Sequence, residues 1–312
     1  MGATHSIIRT DFDTTTQKDL LNTGLRKLFD NTLRAAKSEY STVVNDLKTK
    51  EYDERDQQIA GLGLAESVRE GRNIPIQMPT LGGTVTYTQA GFGTGFRITH
   101  KMDYFNKFSF LKRWTKDLAK VMTETKDIEI ARMFNNPTSS TYQGTGFDSQ
   151  VMAYATHTGL ASGTGDNYSN YADADLSISA IEAVRYYYAT LVDDNGIWMG
   201  ATPNILAVQP TLYITAKEIL GSEGKSGEMS NTLNVLRELD LKIFEYHRLT
   251  STTAWFVEAK ADSNFDLNVF TSMAPQFWTK DAPDTTKDTI VISLQYFTYG
   301  FGDPRLYYLG NT

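Results

Sequence analysis

The chain of 312 residues and 34.9 kDa is 40% hydrophobic and 12% aromatic, enough to bury roughly 75% of its unfolded surface, which excludes wholesale disorder. A net charge of -7 opposes broad attachment to phosphate backbones, and zero cysteines exclude disulfides, thiolate nucleophiles and Cys-ligated zinc or iron sites. No window approaches the roughly 18 apolar residues of a membrane helix, and residues 1–16 lack the basic and apolar regions of a signal peptide, so the expectation is a cytoplasmic fold with no membrane partner.

Residues 17–37 are predicted as a helix, because Leu21, Leu25, Leu28, Phe29, Leu33 and Ala36 recur at three- and four-residue intervals. Tyr40, Val43, Val44 and Leu47 repeat that spacing over a second short run, and the charged residues 48–56 read as a solvated connection. A different texture follows. Ile74, Ile76 and Met78 alternate with polar residues, residues 79–83 supply turn chemistry, and Val85, Tyr87, Phe92, Phe96 and Ile98 resume the extended pattern. With its lead-in this predicts a long β-hairpin over residues 57–100. Its apolar content is thin for a core element, which points to a partner on another chain. The clustered charges of the lead-in, Glu66, Arg69, Glu70 and Arg72, fit either a solvated face or an intersubunit contact.

Residues 105–134 carry the strongest helical pattern. Phe108, Leu111, Trp114, Leu118, Val121, Met122, Ile128 and Ala131 share one side, while Lys112, Arg113, Lys116, Asp117, Lys120, Glu124 and Lys126 fall mostly on the other. The run is roughly 45 Å long at about 1.5 Å per residue, with Leu111, Trp114, Leu118, Val121 and Met122 expected in the core. Asn135-Asn136-Pro137 ends it. Residues 138–175, rich in Ser, Thr, Gly, Asn and Asp, read as a long surface excursion. Ser177 or Ser179 caps the next helix, whose buried stripe is Ile181, Val184, Tyr188 and Leu191, and Asp193-Asp194-Asn195-Gly196 stops it. An α/β alternation follows: a strand at 205–208, a helix at 210–220, a glycine-rich loop at 221–227, a short helix at 231–239, and strands at 241–246, 254–257 and 267–270. Residues 289–299 and 305–309 read as strands that return to the sheet begun near Thr99.

No catalytic constellation emerges. Gly91-Phe92-Gly93-Thr94-Gly95 lacks the spacing of a dinucleotide loop and fits a strand whose backbone bends or approaches another chain closely. Gly224-Lys225-Ser226 follows a helix, whereas a phosphate loop needs a strand before it. The histidines His5, His100, His157 and His247 are not at ligand spacing, so satisfied polar side chains are expected. The acidic pairs Asp173/Asp175 and Asp193/Asp194 sit where helices start and stop, as capping and turn residues do. No cofactor or metal is implied.

The run Tyr87-Thr88-Gln89-Ala90, continuing to Phe96-Arg97-Ile98-Thr99-His100-Lys101-Met102 and followed by a long amphipathic helix, is similar to the major capsid proteins of tailed bacteriophages with the Hong Kong 97-type fold. Later segments agree in order: Leu176-Ser177, Asp194-Asn195-Gly196, Pro203-Asn204-Ile205-Leu206-Ala207-Val208-Gln209-Pro210, Ile219-Leu220-Gly221-Ser222, Asn231-Thr232-Leu233-Asn234, Ala254-Trp255-Phe256-Val257 and Tyr299-Gly300-Phe301-Gly302-Asp303-Pro304-Arg305. The resemblance covers about residues 57–310 and implies an α+β subunit of four parts. These are an N-terminal arm (1–56), an extended loop (57–100), a peripheral domain on the spine helix (101–175 and 271–312) and an axial domain (176–270). It places Arg69, Glu70, Arg72, Tyr87 and Arg97 at contacts with a neighbouring subunit.

The resemblance also implies pentamers and hexamers in an icosahedral shell, a portal protein, possible decoration proteins, enclosed double-stranded DNA without specific binding, and a virion assembled in the host cytoplasm. Residues 57–100 contain no lysine, so the covalent crosslink made by some relatives is not expected, and the absence of a long extra helical region implies a separate scaffolding protein. An encapsulin-like compartment is the alternative within the fold. A carboxylate-dependent hydrolase is the lesser alternative outside it.

Overall fold

The computed structural model describes residues 14–105, 108–159, 167–222, 224, 234–260, 267–283 and 286–310. In chain order the elements are α1 (Thr14–Ala35), β1 (Asn45–Lys48), β2 (Asp53–Ile59), β3 (Leu81–Thr88), β4 (Ala90–Ile98), α2 (His100–Tyr104), α3 (Phe108–Asn135) and α4 (Ser140–Gln143). There follow β5 (Tyr171–Ala172), α5 (Ile178–Thr190), β6 (Thr202–Val208), α6 (Tyr213–Gly221), β7 (Lys242–Glu245), β8 (Trp255–Lys260), β9 (Leu267–Asp281), β10 (Thr289–Phe301) and β11 (Tyr307–Gly310). Two compact units result, one of residues 1–38, 91–125 and 273–296, the other of residues 39–90, 126–272 and 297–312.

In the first unit, α1 and the leading part of α3 cover a sheet in which β10 lies between β9 and β4. The periodic residues account for this. Leu25 and Phe29 from α1, Leu111, Leu118, Ala119 and Met122 from α3, and Ile98, Phe277 and Val291 from the strands form one buried cluster. Phe29 meets Phe277 at 5.5 Å, and Phe96 meets Trp114 edge-on at 5.7 Å. Thr115 is also buried, its hydroxyl donating to the Leu111 carbonyl at 2.9 Å. Val121 departs from the expected core: it is 48% exposed, because the buried face is centred on Leu111, Leu118 and Met122. The glycine run lies along β10 of the same chain, where a side chain at Gly95 would stand 2.3 Å from the Val291 carbonyl oxygen. The close approach is therefore internal to the subunit.

The second unit is built on a five-stranded sheet of order β5-β11-β8-β6-β7. Both faces are covered, so its strands read as near-continuous apolar runs. Ile205, Ala207, Phe256, Tyr307 and Leu309 point into a cluster with Phe134 and Tyr246. Leu206, Val208, Trp255, Val257 and Tyr308 point into the other, under Ile181, Val184 and Tyr188 of α5 and Ala216, Ile219 and Leu220 of α6. The Ser177 side chain accepts from the Ala180 N–H at 3.2 Å and so caps α5.

Several expectations change here. Residues 53–59 are a strand, not a solvated connection: β2 pairs antiparallel with β3 from Asp53 against Thr88 to Ile59 against Leu81. The hairpin is therefore β2–β3, and residues 60–80 form its tip without strand structure. After a 3-10 turn at Tyr40–Thr42, β1 pairs parallel with β9, which leaves Leu47 44% exposed. In place of the short helix there is a 3-10 turn at Val235–Glu238; residues 225–233 lie outside the described residues, as does the side chain of Phe108. β11 joins β8 and β5 rather than the sheet containing β4. Lys126 is buried, its Nζ 3.1 Å from Asp46, 2.8 Å from Thr271 and 4.7 Å above the Tyr40 ring. Ile128, assigned to the apolar stripe, is 44% exposed.

Candidate assembly surface

The β2–β3 ribbon carries few apolar residues inward, since β2 reads Asp-Glu-Arg-Asp-Gln-Gln-Ile. Its tip holds the opposite. Leu62, Leu64, Ile74, Ile76 and Met78 are 58%, 76%, 77%, 90% and 85% exposed, and Leu81 at the start of β3 is 61% exposed. Single exposed apolar residues are ordinary, but so many within one short stretch of chain make the tip the candidate assembly surface. Arg69, Glu70 and Arg72 are exposed on the same tip, where the Arg72 N–H donates to the Arg69 carbonyl at 3.1 Å around Gly71, whose φ is 78°.

Two other residues expected at the neighbour contact are engaged within the chain. Tyr87 is 3% exposed, its ring 5.0 Å from Phe270, because β3 turns it inward. Arg97 pairs with the buried Asp288 at 3.5 Å, and Asp288 also accepts from the His100 N–H at 2.9 Å. Of the expected spine core, Leu111, Leu118 and Met122 are buried and Trp114 packs against them.

The tip-ward end of β2 is tied to the rest of its own unit by a polar network that the sequence reading missed. The Gln58 amide donates to Asp194 at 3.1 Å, and Asp194 is ion-paired with the buried Arg305. Arg305 also lies 3.4 Å from Asp303, which accepts from the Tyr168 hydroxyl at 2.8 Å. Burial pushes the Asp303 carboxyl up, against the pull of Arg305. Next to this lies His157, fully buried, its Nδ1 2.8 Å from Asp148, its Nε2 3.2 Å from Asn170, and its ring stacked on Tyr168 at 4.9 Å. Residues 148–157 and 167–170 are thus internally anchored and not a surface excursion. The signal that could have found this was Arg305 itself, a charge inside an aromatic run that must be paired if the run is core.

The remaining polar candidates do structural work. The Asp193 carboxylate accepts from the N–H groups of Asn195 and Ile197 at 2.9 and 2.8 Å. His247 lies 3.0 Å from Glu39. His5, Lys225 and Ser226 lie outside the described residues. Among the described residues no cluster could hold a metal ion and no helix is long and apolar enough to cross a membrane.

A long spine helix, a two-stranded ribbon with an exposed tip and a covered five-stranded sheet define the Hong Kong 97-type α+β fold of viral shell subunits. The sequence profile of the phage capsid protein family matches residues 83–308, and the chain belongs to that family. Among solved structures, the procapsid of bacteriophage JBD30 superposes with a TM-score of 0.56 at 12% identity, covering 96% of this chain and 76% of that one. The capsid of cyanophage P-SCSP1u gives 0.56 at 11%, covering 88% and 89%. A virus-like particle from Pyrococcus furiosus gives 0.53 at 9%, covering 92% and 97%. No curated protein matches. The chain is a major capsid protein whose copies assemble into the icosahedral head shell of a phage, and its place is the virion.

Proposed function

We propose that assembly works through the tip of the β2–β3 ribbon, which leaves its own subunit and covers a neighbour in pentamers and hexamers. The observation that carries this is the 90% exposure of Ile76, with Ile74 and Met78 beside it. Burying such side chains is worth about 1.5–3 kcal/mol each, and the subunit alone leaves that unrealised. Arg69, Glu70 and Arg72 supply the charged rim of the contact. In this reading residues 1–56 are the arm, 57–100 the extended loop, 101–175 with 271–312 the peripheral domain, and 176–270 the axial domain. The two compact units cut across this division, within the arm at residue 38 and within the spine helix at residue 125, and β11 joins the sheet of the axial part.

A separate scaffolding protein, a portal protein and, in some shells, decoration proteins complete the particle, which assembles in the host cytoplasm. The shell encloses double-stranded DNA without binding it specifically, in keeping with a charge of -7 per chain. The role is structural, with no reaction assigned to the polar networks. Coexpression with its scaffold, followed by light scattering and electron microscopy, should give closed particles of megadalton mass. A stable monomer under all such conditions would overturn the reading.

A further inference from the structure

A cleft of about 330 Å³ opens beside α5, lined by Tyr168, Tyr171, Tyr186, Tyr187 and Tyr308 together with Asn167 and small or aliphatic neighbours. Its size falls at the lower end of the roughly 300–1,000 Å³ range of ligand pockets. Part of the wall is rigid. The Tyr187 hydroxyl donates to the Arg305 carbonyl at 2.8 Å, the Tyr168 hydroxyl donates to Asp303 at 2.8 Å, and the rings of Tyr187 and Tyr308 meet at 5.1 Å. The hydroxyls of Tyr171, Tyr186 and Tyr308 have no partner among the described residues. Burial pushes the Tyr308 hydroxyl up in pKa, which keeps it a donor. Among the described residues no charged side chain lines the cleft, which favours a neutral occupant.

Its occupant must be uncharged, partly apolar and rich in acceptors. Residues 73–79 read Asn-Ile-Pro-Ile-Gln-Met-Pro and carry no charge. Pro75 and Pro79 lack N–H groups, so this stretch offers more carbonyl acceptors than donors, and each proline holds the residue before it extended. Among the described residues the stretch makes no main-chain hydrogen bond, and Ile74, Ile76 and Met78 are left in solvent. Tyrosine-lined grooves suit extended proline-containing segments, because the rings stack on the pyrrolidines and the hydroxyls donate to the carbonyls.

We infer that the tyrosine cleft of one subunit receives residues 73–79 of a second copy. This rests on the reading that the ribbon tip leaves its own subunit, and it adds the seat on the neighbour. Neutral meets neutral, donors without partners meet acceptors without partners, and two exposed apolar surfaces are removed from water together.

The chain contains no cysteine, so engineered pairs report without background. Assembled particles of Ile76→Cys/Tyr186→Cys, doped with wild-type chain so that shells form, should yield disulfide-linked dimers on mild oxidation that are lost on reduction. Met78→Cys/Tyr171→Cys serves as a second pair, and either single variant alone should give none. Maleimide labelling of the single variant Ile76→Cys separates the two ideas. Protection on assembly together with the crosslink supports the seat. Protection with neither pair crosslinking overturns the cleft assignment alone. Labelling that is equal in shells and free subunits overturns both the cleft and the covered tip.

Discussion

β8 and the ribbon tip are built from the same kinds of residue and have opposite fates. Trp255, Phe256 and Val257 are at most 1% exposed, sandwiched between helices and the end of α3, whereas Ile74, Ile76 and Met78 stand almost wholly in solvent. Apolar alternation shows that a segment is to be covered. It does not say whether the cover comes from the same chain. Where the covering elements are present, the apolar residues stabilise the subunit; where they are missing, the same residues stay in solvent, and the proposed reading gives them to association.

That contrast can be broken at several points. The largest effect is expected at Leu118, 5% exposed in the core of the first unit. Leu118→Asp buries an unpaired carboxylate and should cost several kcal/mol against a total margin of about 5–15 kcal/mol, so the variant subunit should be recovered unfolded or insoluble. A soluble, cooperatively melting product would show that this stripe is not core. Phe134, which packs on Tyr246, Phe256 and Tyr307, should come next: Phe134→Ala should lose about 3–5 kcal/mol in denaturant unfolding while retaining a transition.

A smaller, pH-dependent effect is expected at Asp148. Burial alone would raise its carboxyl, but hydrogen bonds from His157 and the main chain of Gln150 outweigh that and hold it below its ordinary value of 3.8. A carboxyl depressed in the folded state adds stability above its unfolded pKa and loses it as pH falls through the folded one. Asp148→Asn should therefore unfold more easily than wild type at neutral pH, with the gap closing as the pH drops below 3.8. A gap independent of pH would place the effect in packing.

On the tip, subunit melting should hardly move. Ile76→Asp and Arg72→Glu should each stay within about 0.5 kcal/mol of wild type by denaturant melting, because both side chains are exposed. Shell yield should fall in both, more in Ile76→Asp. Wild-type shells from Arg72→Glu, with unchanged resistance to denaturant, would return that charge cluster to solvent.

Much of this architecture was written locally. The period of Leu111, Leu118 and Met122 marks α3, Ser177 or Ser179 marks the start of α5, and the runs at 205–208 and 254–257 mark the central strands, because each depends on residues a few positions apart. What local pattern did not carry was pairing. β2 is charged and half exposed, so no apolar alternation betrays it, and only β3 across the ribbon makes it a strand.

Tyr87 and Arg97 looked presentable to a neighbour, yet Phe270 and Asp288, far away in the chain, claim them. Lys126 carries a charge that sequence assigns to solvent, and it is buried because Asp46 and Thr271 complete its hydrogen bonds. The sequence by itself determined which residues seek burial and which segments take helical or extended form, since those follow from side-chain chemistry and backbone period. Tertiary structure alone decided which partner each one met, because a buried charge or an inward tyrosine is stable only where a distant segment supplies the matching group.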